Sequence, residues 1–458
     1  MQFLSLQFLV LMISVLILLA VCRDKRAERL ILLAASYIFY AGFSISMLIL
    51  LLILSLFTYA GGVFVFKSRT AGRPDTARHI MSGVIGIQIA VLAFFKFSGL
   101  FSLPVGLSFY MLQAISLVAD LYLGRLTACP SLPDALLYIG FFPQIVSGPV
   151  VKAKDFIPQL NSRQRLNRER LSYGLQMFLL GAFMKLVVAD RLAVCVDKVY
   201  AAPTAYSGGS LFVTSVGYSL QLLFDFAGYS NMAIGAAWLL GFDLLKNFNL
   251  PYLAISPTDF WRRWHISLSS WMRDYVYIPL GGSRKGRNRT YINIFLTMIV
   301  SGLWHGSTVN FLVWGAVHGL GQVIYRSAAA RNSAAGRGHI MPAPAARILT
   351  FLFVNFLWIP FRAGTLREAW IIISRIITCR AGISYYYVYI FVFGAVLFLV
   401  QTIAIHRNNA DNPVKPLPLD RFYGKVILCI LVIATLMFAY FGNGAFIYSL
   451  QFDAQPVR

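Results

Sequence analysis

Two of the six histidines follow a tryptophan directly, at Trp264-His265 and Trp304-His305, in a chain with only eight tryptophans. Chance would rarely place even one such pair. Histidine is the side chain whose proton moves most readily near neutral pH, so both positions are candidates for acid–base chemistry. His305 lies 16 residues beyond Arg289, about 24 Å of helix against an apolar membrane core of about 30 Å. The count predicts a histidine inside the membrane and past its midplane, where an ionisable group is a functional candidate by default. Ser301, Gly302, Gly306 and Ser307 flank it and should loosen the helix there. The plainer reading is a neutral histidine hydrogen-bonded inside a helical bundle.

His265 falls in SPTDFWRRWHISLSSWMRDY, residues 256–275. Ser256 suits a helix N-cap, Pro257 the first helical position and Asp259 the third. At about 100° per residue, Trp261, Trp264, His265, Leu268, Trp271, Met272 and Tyr275 share one face. Arg262, Arg263, Ser269, Ser270, Arg273 and Asp274 take the other. The division predicts one interfacial helix that aims His265 inward and ends before Pro279, Gly281 and Gly282.

A further charge sits in the apolar stretch LQLLFDFAGYSNMAIG. A lone carboxylate at such depth is costly, so Asp225 must pair, bind or protonate. Lys185, Arg191 or a loop arginine would make it structural; orienting a catalytic histidine is the sharper alternative. His318, within Gly315-x-x-x-Gly319, reads as close helix packing, and His79, His339 and His406 lie in or beside basic loops. The five cysteines form no C-x-x-C pair, so neither a disulfide framework nor a metal site is expected.

The elements that must position these residues are membrane helices. Of 458 residues, 58% are hydrophobic, with 40 Lys+Arg and 17 Asp+Glu, and at roughly 20 residues per span the ceiling is about thirteen spans. Continuous apolar runs exclude a β-barrel. The net charge of +23 lies in short clusters between those runs, which is the positive-inside pattern and not a nucleic-acid stripe. Basic loops at 23–29, 67–78, 152–170, 262–289, 326–347 and 407–425 should face the cytoplasm. The first run, Phe3 to Cys22, precedes positive charge instead of following it, and so reads as a retained span with an outside N-terminus. Further runs are 30–43, 45–66, 80–97, 101–123, 135–151, 172–189, 211–241, 291–325, 347–361, 385–405 and 424–442. Several contain Gly or Pro; such breaks need protein or a water-filled cavity around them. Residues 152–171, with Phe156, Ile157, Leu160, Leu166 and Leu171 among basic side chains, should lie along the cytoplasmic surface. Ser327–Ala346 reads as a flexible loop.

Read together, FFPQIVSGPVVKAKDFIPQL (141–160), DFAGYSNMAIGAAWLLGF (225–242), NFNLPYLAISPTDFWRRWHISLSSWMRDYVYIPLGGSRKG (247–286) and SGLWHGSTVNFLVWGAVHG (301–319) resemble the membrane-bound O-acyltransferase family, in its alginate O-acetylation branch. The resemblance implies an all-α polytopic protein: about eleven transmembrane helices, with re-entrant and interfacial pieces, in a ring around a thin centre. It implies one domain over 1–458, with N-terminal helices to 134, a motif-bearing core at 135–325 and C-terminal helices from 326. His305 matches the family's essential histidine in the WHG motif, and His265 the second in RWH. Trp264, Trp304, Asp225, Ser301 and Asn310 stand as candidate substrate-binding residues. Arg284, Lys285, Arg287 and Arg289 could meet the phosphates of coenzyme A, although topogenic loop charge is the plainer reading.

The implied activity is acetyl transfer from acetyl-CoA to an exported polysaccharide, direct or through an extracytoplasmic acetyltransferase or glycan-export partner, in the bacterial inner membrane. No permanently bound cofactor, no metal and no nucleic acid are expected. The absence of a Gly-x-Ser-x-Gly elbow argues against an acyl-serine on this chain. D-alanyl transfer to an envelope polymer, a non-catalytic acyl or lipid carrier and a membrane scaffold remain alternatives.

Overall fold

A computed structural model of the chain describes residues 1–336, 340–406 and 421–440, with the side chains of 401, 402 and 404–406 outside it. The expectations for His339, for most of the basic segment 407–425 and for 441–442 fall on residues outside this set. The described chain is helical, with no β-strand beyond an isolated bridge between Tyr206 and Ile383. It divides into two compact units, neither continuous in sequence: Met1–Leu180 with Tyr229–Leu245, and Gly181–Gly228 with the described part of Lys246–Gln451. The sequence blocks 1–134, 135–325 and 326–458 do not coincide with them.

The first unit opens with α1 (Leu6–Val21) and α2 (Lys25–Ala41), each started by a side-chain cap: Ser5 Oγ accepts from the Phe8 N–H, and an Asp24 carboxylate oxygen from that of Ala27. α1 buries only the stripe Phe8, Met12, Val15 and Leu19, and turns leucines, isoleucines and valines outward. That exposure suits lipid and would be an aggregation hazard in water. α3 (Ile45–Thr70) and α4 (Pro74–Phe97) are long and apolar enough to cross a membrane. A buried polar link joins them, Gln88 Nε2 donating to Thr58 Oγ1 at 2.7 Å.

α5 (Leu107–Tyr122) is buried from Leu107 to Leu121 and carries Ser108, Gln113, Ser116 and Asp120. Beside it, the run expected to span at 135–151 is instead a half-length helix, α6 (Leu132–Gly140), about 13 Å long, followed by buried non-helical chain to Lys152. Tyr138 donates to the Val151 carbonyl at 2.9 Å, and the Ala153 N–H donates to Ser116 Oγ at 3.2 Å, so the segment folds back on its own starting helix. Hydropathy cannot tell a short helix that folds back from a span, because both are continuously apolar.

α7 (Ala153–Asn161) then buries Phe156 and Leu160 but leaves Leu166 and Leu171 beyond it exposed. Two of the arginines in this basic segment find acids inside the unit: Arg163 pairs with Glu28 at 2.7 Å and Arg170 with Asp243 at 2.9 Å. The unit boundary passes through α8 (Arg168–Phe183).

The second unit continues α8 as a π-helical stretch, Met184–Ala189, into α9 (Asp190–Tyr200). α10 (Gly208–Leu239) runs unbroken for 32 residues despite its glycines; its residues up to Gly228 belong here. α11 (Pro257–Arg263) and α12 (Ile266–Met272) follow, then α13 (Gly286–His305), α14 (Val309–Ala334), α15 (Ala343–Arg362), α16 (Leu366–Ile377), α17 (Val388–His406) and α18 (Phe422–Phe438). α10 and α15 are long and apolar enough to cross a membrane, which makes four such helices among the described residues; α1, α5, α18 and residues 388–400 of α17 are shorter apolar helices.

The run expected at 291–325 is an antiparallel pair, because the chain turns at 306–308. The start of the expected flexible loop, 327–334, is helical, as its alanines favour. The core of this unit is aromatic, built from Tyr252, Phe260, Trp261, Trp264, Phe311, Trp314, Trp358 and Phe361.

Candidate active site

The RWH segment begins as its sequence dictates: the Asp259 N–H donates to Ser256 Oγ at 3.0 Å, and Asp259 in turn holds Arg263 at 3.0 Å. It does not continue as one helix. α11 ends at Arg263, Trp264 is extended, and His265 takes a left-handed conformation with φ 44° and ψ 53° before α12 begins. A non-glycine residue there is uncommon and costs about 1–3 kcal/mol.

The preceding loop supplies the compensation. The Asn249 N–H donates to the Arg263 carbonyl and the Ile266 N–H to the Asn247 carbonyl, both at 2.9 Å, and Asn247 Oδ1 accepts from Ser267 Oγ. The broken helix still buries Trp261, Trp264, Leu268, Trp271 and Met272 as expected, but Asp274 is buried as well. Helical periodicity cannot register competing backbone partners 14 and 19 residues away.

Asn247→Leu, which removes the Oδ1 acceptor of the Ser267 hydroxyl, should lower stability by roughly 1–3 kcal/mol and reduce acyl transfer. Asn247→Asp, which keeps the acceptor, should retain most of both, as thermal unfolding in detergent and transfer assays would read.

The WHG segment closes α13, with His305 its last residue. Gly302 and Gly315 let α13 and α14 touch backbone to backbone: a Cβ on Gly315 would lie 2.5 Å from the Met298 carbonyl oxygen, and one on Gly302 would overlap that of Phe311. The hairpin therefore presents Trp304 and His305 at its turn.

The two histidines meet on one side chain. The Trp304 ring centroid lies 4.9 Å from that of His305 and 6.2 Å from that of His265. His305, 4% exposed, also packs edge-on to Trp314 at 5.1 Å and Phe361 at 5.3 Å. His265, fully buried, meets Phe226 at 4.7 Å. Burial pushes the His265 imidazolium down to about 3, so this ring is neutral at physiological pH. It can donate one N–H and accept at the other nitrogen, but it offers no full positive charge.

The remaining expected residues divide. Ser301 is buried on α13, one turn before His305. Trp264 packs away from the histidine pair, against Phe248 and Trp358, both at 5.0 Å, and forms wall. Asn310 spends its amide hydrogens on the carbonyls of Pro360 and Ala363, at 3.2 and 2.7 Å, and so ties α14 to the end of α15. Asp225 Oδ1 accepts from Lys185 Nζ at 2.7 Å, a pairing with one of the structural partners expected for it. Arg284, Lys285, Arg287 and Arg289 are exposed where the chain enters α13. His318 is wholly buried and accepts from the Trp261 indole N–H at 3.4 Å, which joins α14 to α11.

Sequence reasoning missed Trp314, Phe361 and Phe226, the other rings around the two histidines. Each comes from a different helix, and aromatic content alone does not single them out. Asn247 lies ten residues before α11 and carries no local mark of its role.

The membrane-bound O-acyltransferase (MBOAT) family profile matches residues 123–359, which include both histidines. The probable alginate O-acetylase AlgI of Pseudomonas putida is 37% identical over 390 residues, covering 81% of this chain and 79% of that protein. The peptidoglycan O-acetyltransferase of Helicobacter pylori is 33% identical over 399 residues, covering 77% and 74%. The teichoic acid D-alanyltransferase of Bacillus subtilis is 28% identical over 232 residues, covering 48% and 58%. A helical membrane protein with two buried histidines on one tryptophan, this chain belongs to the membrane-bound O-acyltransferase family and is an O-acyltransferase.

Proposed function

We propose that the protein is an acetyltransferase of the bacterial inner membrane. It takes the acetyl group of a cytoplasmic thioester, acetyl-CoA, for O-acetylation of an exported polysaccharide, directly or through an extracytoplasmic partner acetyltransferase. The observation that carries this reading is the meeting of His265 and His305 on Trp304 within one aromatic, water-poor unit. The names of the alginate and peptidoglycan relatives support acetyl as the acyl group and a glycan as its destination. About eleven spans in a ring around a thin centre would let a cytoplasmic donor and an external hydroxyl reach the same histidines.

In this reading His305 accepts the proton of the attacking hydroxyl as its oxygen bonds to the thioester carbonyl carbon. The carbon–sulfur bond then breaks, and the thiolate leaves and takes a proton. Neutral His265 serves as a hydrogen-bonding group that steadies the oxyanion or orients a substrate. The apolar walls from Trp304, Trp314 and Phe361 strengthen each such bond by excluding water.

The exposed basic residues at the entrance to α13 supply charge for the phosphates of the donor. Replacing Arg284, Lys285, Arg287 and Arg289 together with glutamine should raise KM for acetyl-CoA about tenfold with little change in kcat. Added salt should erase much of the difference, as initial rates at several ionic strengths would show.

The direct test is reconstitution in vesicles with labelled acetyl-CoA and alginate, cellulose or peptidoglycan oligosaccharides, with and without exported partners. Label on a glycan is the expected result. Label that only crosses the bilayer unchanged would favour a carrier. Transfer of D-alanyl and not acetyl would move the assignment to the second reading, which the teichoic acid D-alanyltransferase relative favours.

A further inference from the structure

One buried ionic group has no part in the chemistry above. Lys185 Nζ lies 2.7 Å from Asp225 Oδ1 and 2.8 Å from Asp190 Oδ1, with the Lys185 and Asp225 side chains 2% and 1% exposed. Lys185 sits in the π-helical stretch Met184–Ala189, where the Asp190 N–H reaches back to the Lys185 carbonyl five residues earlier. Such widened turns are rare and recur at functional sites.

Three residues past Asp225 the same two helical runs approach backbone to backbone. A Cβ on Gly228 would lie 2.8 Å from the Gly181 carbonyl oxygen and 3.2 Å from the Lys185 nitrogen. Next to Asp225, and about 100° further round α10, stands Phe226. Its ring meets His265 edge-on at 4.7 Å and Phe248 at 5.1 Å.

Resting on the acyltransfer reading, we infer that Lys185 and Asp225 are positioning residues for His265, acting through Phe226. For stability alone a buried ion pair gains little over packed apolar side chains, whereas its best-attested use is to fix a register. α10 needs such a device. Around Asp225 it offers Leu222, Leu223, Phe224, Phe226 and Ala227, apolar residues that would tolerate a small rotation about the helix axis. The Lys185 bond and the Gly181–Gly228 contact remove that freedom, and the orientation they set is the one in which Phe226 presses on the imidazole of His265. Asn247 holds the chain just after His265, through Ile266 and Ser267, so the ring and the backbone are held by different elements.

The test compares Asp225→Asn, Asp225→Glu, Phe226→Ala and the double variant Asp225→Asn/Phe226→Ala in the full-length reconstituted protein. Asp225→Asn should lower kcat about tenfold with KM for acetyl-CoA unchanged, and Asp225→Glu should restore most of the loss. The double variant should fall no further than Phe226→Ala. A second readout needs no activity: carbethoxylation of His265 by diethyl pyrocarbonate, followed by peptide mass spectrometry, should rise severalfold in Asp225→Asn and in Phe226→Ala. Unchanged labelling of His265, or losses that multiply in the double variant, would overturn the inference. If Asp225→Asn does not fold, Lys185→Gln, which breaks the same pair, carries the labelling comparison. Absence of acetyl transfer by the wild type would overturn the proposed function and leave the labelling result standing.

Discussion

His305→Ala is expected to lower acetyl transfer about a thousandfold, within the range for loss of a general base, while the protein stays folded and still binds acetyl-CoA. Of the two histidines, His305 closes a helix at the turn of a hairpin, with rings of Trp304, Trp314 and Phe361 around it. Removing the imidazole leaves these walls standing, so the loss should fall on kcat and spare KM for the donor. Single-turnover rates with labelled donor, beside a thermal unfolding curve in detergent, separate that outcome from misfolding. Undiminished transfer by a folded His305→Ala protein would refute the assignment. His265→Ala should cost less turnover, since a neutral ring that positions or donates can be replaced in part by water.

The second large effect is expected at a helix–helix contact that holds no ionisable group. Gly302→Ala places a methyl group against the Phe311 carbonyl and forces α13 and α14 apart just before Trp304 and His305. Such overpacking costs typically about 1–3 kcal/mol, but a displacement of about 1 Å at a catalytic group can cost a hundredfold in rate. Turnover should therefore fall about a hundredfold while much of the protein remains folded. Gly83→Ala on α4 is the control, because no atom lies within 4 Å of its added Cβ. It should leave transfer unchanged and stabilise its helix by a few tenths of a kcal/mol to about 1 kcal/mol. Equal losses from the two substitutions would show that the α13–α14 contact has no special place in the site.

Much of the fold was legible where one element decides its own structure. The Ser256, Pro257 and Asp259 start of α11 was read correctly because a cap is settled within four residues. α3 and α4 were read from hydropathy because each holds a continuous apolar run long enough to cross a membrane. Gly302 and Gly306 announced a loosening at His305, where α13 ends, and Gly315-x-x-x-Gly319 announced the close packing that Gly315 makes against Met298. The span expected at 135–151 failed for the opposite reason, since the depth at which an apolar segment turns back is set by its neighbours. The single helix expected over 256–275 failed because Asn247 and Asn249 compete for its backbone.

The sequence by itself determined the helical membrane class, the motif pair RWH and WHG, and the need for Asp225 to find a partner. Only the tertiary structure decided that the partner is Lys185, 40 residues away, that His265 is left-handed, and that both histidines share Trp304. The division follows from range. Capping and hydropathy are interactions between near neighbours and are written in the order of residues. The pairing of buried charges and the convergence of rings depend on which distant elements pack together, and the residues that make them carry no local mark of their partners.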